Sequence, residues 1–176
     1  MQTFLPFPDF EATAKCLDNK RLNKQIIECG QILTALARLT ELRYRGQWQD
    51  SSGTWTTKPV PWGNHPAVRM WLGHKGWLVF YRNIMVHEWH ARGYRSHAEW
   101  EETSRMFSPW WLGNKDFHES HQGNLLRKNF SHYSQFFFGP QYEGYLWPSV
   151  KPGEWIDKRK PITGTDGWPK STLKGT

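Results

Sequence analysis

Residues 17–31 read LDNKRLNKQIIECGQ, and the fold turns on how this stretch is wound. At about 3.6 residues per turn, Leu22, Ile26, Cys29, Leu33 and Leu36 recur three or four apart and form one apolar stripe. The stripe predicts a helix over residues 20–42 packed inward along that side, with Asp18 and Asn19 ending the helix before it and capping this one. Another face carries Arg21, Lys24, Glu28 and Gln31, so Glu28 follows Lys24 by one turn and Arg21 by two. Two readings of that face stay open. One is a solvated surface whose Lys24/Glu28 pair contributes about 0.2–0.5 kcal/mol. The other is an active site, with Arg21 and Lys24 holding a phosphate backbone and Glu28 moving protons or stabilising charge at a sugar.

The chain has 176 residues, the size of one ordinary domain. Lys and Arg number 23 against 16 Asp and Glu, a net charge of +7, which favours a polyanionic partner: nucleic acid first, an acidic membrane surface second. Twelve Trp and an aromatic content of 16% supply either core or faces on which bases stack between cations. Cys16 and Cys29 fall on apolar helix sides, as buried free thiols in a reducing compartment would. MQTFLPFPDF has no basic region followed by a long apolar run, and no apolar stretch is long enough to span a bilayer, so a cytoplasmic protein is expected, with no membrane partner.

Pro6 and Pro8 keep residues 1–8 extended, and Asp9 caps a short helix through Leu17, which tethers the chain start near the first helices. Residues 43–62 lack a sustained period and read as a long loop. Asn64 is expected to cap a second long helix, with His65 and Pro66 in its first turn, running to Arg92 and stopping at Gly93. Ser96 and Glu99 match a capping box that opens a third helix through Met106. A fourth helix over residues 116–128 presents His118, His121, Asn124, Arg127 and Lys128. The aromatic segment from Asn129 to Pro148 reads as irregular or short helical turns, and a basic Gly-, Pro- and Lys-rich tail follows over residues 151–176. The expectation is an all-α fold: a compact helical bundle over residues 1–150 with long loops.

His87 and His90, then His118 and His121, are each three apart on a helix, a spacing that permits metal ligation. No H-E-x-x-H and no C-x-x-C accompanies them, so neither metal nor cofactor is expected; hydrogen bonding to phosphate or filling a cleft fits His118 and His121 better. His65 opens a helix, where backbone N–H groups favour an anion, or else packs in the core. Phosphate-cradling glycine loops and a G-x-S-x-G elbow are absent, which speaks against nucleotide-driven chemistry and a serine hydrolase.

MQTFLPFPDF, LDNKRLNKQIIE, WGNHPAVRMW, EWHARGY and FHESHQGNLLRKNFSHY, in that order, resemble the pyrimidine-dimer DNA glycosylase (phage endonuclease V-like) family, most closely its bacterial and phage branch beginning MQTFLP. The resemblance covers most of residues 1–150. It implies a helical domain with the N-terminus threaded between helices, acting on double-stranded DNA as a monomer without metal or cofactor. It further implies that the α-amine of the first residue attacks deoxyribose C1′, expels the base and forms a Schiff base, and that a glutamate assists the β-elimination that nicks the strand. An α-amine, with an ordinary pKa of about 7.7–8.0, is partly neutral and nucleophilic near neutral pH.

By this resemblance Met1 is the nucleophile, because Gln2 is too bulky for methionine removal, Glu28 is the acid/base, and Arg21 is the basic group beside it. Further DNA contacts are expected from Gln2, Lys20, Lys24, Gln31, Asn64, His65, Arg69, His118, His121, Asn124, Arg127 and Lys128. Gln2, Ile27 and Gln31 stand where the phage enzyme carries arginines. The resemblance makes a cyclobutane pyrimidine dimer the first substrate expected, and the loss of these three cations makes another damaged or modified pyrimidine the second. A non-catalytic binder of distorted DNA and an enzyme acting on free nucleosides are the alternatives.

Overall fold

In the computed structural model, residues 1–98, 100–103, 107–138 and 142–161 are described. Asp9 and Asp18 start the first two helices as N-caps. Asp9 accepts the Ala12 N–H at 2.6 Å, opening α1 (Phe10–Cys16), and Asp18 accepts the Arg21 N–H at 2.9 Å, opening α2 (Asn19–Arg45). Gly46, in the left-handed region at φ 71°, ends α2 three residues beyond the expected boundary. Leu22, Ile26, Cys29, Ile32, Ala35 and Leu36 are buried, so the stripe is the core face of α2. Both cysteines are buried and free.

The second long helix is interrupted. His65 caps α3 (Pro66–Arg69), Gly73 at φ 80° breaks the run, and α4 (Lys75–Ala91) restarts it and packs along α2 and α1. The break lets Trp71 turn into the core, where its ring meets Trp111 edge-on at 5.1 Å and Tyr81 at 6.1 Å. Asn64 is thus not the cap. The helix expected over 96–106 does not form at residues 96–98 or 100–103, where Ser96 Oγ accepts the Ala98 N–H at 3.0 Å in a local turn; Glu99 and residues 104–106 lie outside the described residues. Asn114 caps α5 (Lys115–Lys128), and α6 (Phe130–Tyr133) follows at once.

The protein is mainly helical but not all-α. Among the described residues there are also three two-stranded antiparallel ribbons: β1 (Trp48–Gln49) with β2 (Trp55–Thr56), β3 (Tyr142–Glu143) with β6 (Lys160–Pro161), and β4 (Leu146–Pro148) with β5 (Trp155–Asp157). The first lies inside the expected long loop. The other two carry the chain past residue 150 and pair residues 155–161 back onto 142–148. Residues 162–176 lie outside the described residues. Among the described residues no helix is long and apolar enough to cross a membrane.

Candidate active site

Residues 3–5 run extended through the core without a strand partner, so their backbone groups need side chains to satisfy them. Gln25, the polar interruption of the α2 stripe, accepts the Phe4 N–H at 2.9 Å, and Tyr81 Oη lies 2.7 Å from Phe4 O and 3.0 Å from Gln25 Oε1. Leu5 is held on both sides by α5: His121 Nδ1 accepts its N–H at 3.3 Å, and His118 Nδ1 donates to its carbonyl at 2.8 Å. Trp71 Nε1 donates to Thr3 Oγ1 at 3.3 Å, and Gln122 to Pro6 O at 2.8 Å.

This clamp corrects the expectation for His118 and His121. Both are buried, at 4% and 0% exposure, and in each ring Nδ1 serves the chain start instead of phosphate. Burial holds both below the ordinary histidine value, and the neighbouring His118 lowers His121 further. His118 Nε2 also accepts the Gly113 N–H at 3.0 Å, so the ring is neutral with its proton on Nδ1. Asn124 is likewise engaged internally, donating to Ser120 O at 2.8 Å and Gly144 O at 2.6 Å.

Thus threaded, the chain delivers the Met1 α-amino nitrogen to 3.5 Å from Glu28 Oε1. Glu28 is 6% exposed, so it is no solvated surface residue; Lys24 Nζ stands 3.8 Å from the same oxygen, and Oε2 is buried with no hydrogen-bond partner. Such an orphaned oxygen costs free energy unless something else occupies it. The Tyr145 phenol, just before β4, is raised well above the ordinary value, by burial first and by the Glu28 charge second. His65 is lowered by burial, then by the charges of the N-terminus and of Lys158. Its Nδ1 accepts the Ala67 N–H at 3.1 Å, so the ring itself takes the helix-start donor that was expected to meet an anion.

Cations cluster between α2 and the end of α5, and two of them, Lys24 and Lys128, act on the carboxylate. Lys128, at the end of α5, is held below the ordinary lysine value by burial and then by Arg21, Lys24 and Arg127, with Glu28 opposing. Arg21 is bound to Asp18 Oδ2 at 2.7 Å and donates to Lys128 O at 3.2 Å, linking the start of α2 to the end of α5. Arg127 pairs with Glu143 at 2.5 Å. Gln31 lines a cleft with Met1, Arg38 and Trp62, and Gln2 bonds locally to Thr3 O. The other expected contacts lie elsewhere. Arg69 donates to Asn64 Oδ1 at 3.2 Å and lines a different cleft with Arg43 and Tyr44, while Lys20 is exposed. Gln25, Tyr81, Tyr145 and Trp62 were not singled out from sequence; for Gln25 the signal was there, a polar residue on an apolar stripe. Among the described residues no group of three or more His, Cys, Asp or Glu could hold a metal ion.

Fold and site together define a mainly helical, basic protein with a cleft at its own chain start. The family described as pyrimidine dimer DNA glycosylase matches residues 1–120, and the chain belongs to that family. It is thereby placed among DNA glycosylases, proteins that bind DNA and serve its repair. The match takes in Met1, all of α2 and the clamp from Gln25 and Tyr81, but not Tyr145 or Lys128. Searches of curated proteins and of solved structures each return no match.

Proposed function

We infer that this protein excises a damaged pyrimidine from double-stranded DNA, a cyclobutane dimer being the first candidate, and nicks the strand at the resulting site. The observation that carries the reading is the Met1 amine 3.5 Å from a buried carboxylate whose second oxygen has no partner. The neutral amine attacks C1′ as the glycosidic bond breaks, and the base leaves with that electron pair and takes up a proton. The attacking nitrogen gives up a proton to Glu28 Oε1, and Glu28 passes it to O4′ as the C1′–O4′ bond breaks, which yields the protonated imine and leaves the carboxylate ionised again. Glu28 then removes a C2′ proton, the electrons of that C–H bond form the C2′–C3′ double bond, and the 3′ phosphate departs. The free Oε2 suits this second removal of a proton. Lys24, Lys128, Arg21 and Arg127 hold the flanking phosphates, so binding should weaken steeply with salt.

The test is borohydride trapping with duplexes carrying a cyclobutane thymine dimer, an abasic site or no lesion, with mass mapping of the adduct. A cross-link on Met1 is expected with the dimer duplex. Glu28→Gln should still bind DNA but nick about 10²–10⁴-fold more slowly. An adduct with the abasic duplex alone would keep the lyase and reopen the base. No adduct from protein of verified native N-terminus would leave a binder of distorted DNA.

A further inference from the structure

Trp62, at φ 63°, is the one non-glycine residue with positive φ among the described residues. Residues 60–63 form a turn closed by the Gly63 N–H on Val60 O at 2.9 Å, with Pro61 in its second place. The third place, where φ is positive, ordinarily takes glycine or asparagine, and an indole there is strained. Packing offers no reason for it: Trp62 is 61% exposed, and the ring contact it makes is with His65, edge-on at 5.9 Å. Yet the turn is firmly held. Val60 is buried, a β-carbon on Gly63 would come within 3.0 Å of Val60 O and 3.1 Å of Leu39 Cδ2, and Trp62 O accepts the His65 N–H at 2.8 Å. The scaffold therefore fixes an exposed ring in a costly conformation, a pattern that concentrates at functional sites.

What the ring faces is informative. Trp62 lines a cleft of about 410 Å³ together with Met1, Gln31, Thr34, Ala35, Arg38 and Pro61, within the ~300–1,000 Å³ range of small-ligand sites. Gln31, exposed on α2, offers both a donor and an acceptor there. Arg38 adds positive charge, its guanidinium 4.8 Å over the Trp48 ring. An open π-face, a carboxamide and a cation beside an amine are what an unpaired nucleobase would meet if its sugar, or its neighbour's, were held at Met1.

We propose that Trp62 contacts the substrate by stacking on the unpaired nucleobase at the lesion. The proposal rests on the glycosylase reading of the Met1 site. Its test compares wild type, Trp62→Gly and Trp62→Phe on a duplex carrying 2-aminopurine opposite an abasic site. Glycine adopts positive φ freely, so Trp62→Gly should melt no lower than wild type. It should nonetheless bind the duplex about tenfold more weakly and leave 2-aminopurine fluorescence high, whereas wild type and Trp62→Phe quench it. Equal affinity and equal quenching with Trp62→Gly, or no quenching by wild type, would overturn the proposal. Failure of the glycosylase reading looks different: wild type would give no borohydride adduct on any duplex, while binding and quenching still report on the stack.

Discussion

Two extended stretches at opposite ends of the described chain are held in opposite ways. Residues 142–161 fold into ribbons in which backbone pairs with backbone, Leu146 against Asp157 and Trp147 against Ile156, with β5 and β6 partly exposed. Residues 3–5 have no ladder at all. The N–H and C=O of Phe4 and Leu5 are each met by a particular side chain from α2, α4 or α5. A ladder tolerates changes of side chain, because its hydrogen bonds belong to the main chain. A strand held by Gln25, Tyr81, His118 and His121 has one register, and it stands or falls with those four residues. That rigidity sets where the Met1 nitrogen lies against Glu28.

The largest expected effect comes from loosening the clamp by one atom. Tyr81→Phe keeps the buried ring and removes the hydroxyl that reaches Phe4 O at 2.7 Å, leaving that carbonyl without this donor inside the core. Denaturant unfolding should show a loss of about 1–3 kcal/mol, the usual cost of an orphaned buried group. Activity should fall further than stability accounts for, because a misplacement of about 1 Å in a reacting group can cost roughly 10²-fold. The rate of borohydride cross-linking, measured where the variant is fully folded, separates the two. An unchanged rate would mean that the clamp does not position the amine.

Much of this was legible in the sequence, and the gaps have physical causes. The apolar stripe, the Asp18 cap and the Lys24/Glu28 face are local patterns read over one or two turns, and α2 follows them. Burial of Glu28 was not local: it follows from the chain start lying across that face. The clamp joins residues 21 to 116 positions apart, so the three-residue spacing of His118 and His121 carries no sign of the Leu5 peptide that lies between them. Gly73 broke a helix whose apolar positions ran on past it, because periodicity registers side chains and not a left-handed backbone. Ribbons of two or three residues are too short to carry a period of two.

Acid should distinguish the two stretches next. His118 and His121 both accept an N–H through an unprotonated nitrogen, and burial keeps both below the ordinary value of about 6.5. Below that value the unfolded chain binds protons that the folded chain refuses, so their contribution is complete above it and is lost as pH falls toward the folded pKa values. His65 and His74, also lowered mainly by burial, add stability changes of the same sign. Amide exchange tells them apart. Protection of the Leu5 amide should fall between pH 7 and pH 5 ahead of the β4 amides, whose ladder contains no histidine. Simultaneous loss would mean that the chain start opens only with the whole fold.

The smallest effect is expected in the ribbons, and it carries a sign of its own. Glu143 on β3 holds Arg127 at 2.5 Å, an exposed pair of the kind that contributes about 0–1 kcal/mol. Glu143→Gln should therefore barely move the unfolding midpoint. It also removes the internal competitor for a guanidinium whose charge acts on Lys128, and a freed Arg127 can take a phosphate. DNA binding should tighten, and its dependence on salt should steepen by up to about one unit of slope. Arg127→Ala should leave stability as little changed while binding weakens and the slope flattens. If both variants lower stability and neither alters the salt slope, Arg127 fastens the ribbon to α5 and takes no part in holding DNA.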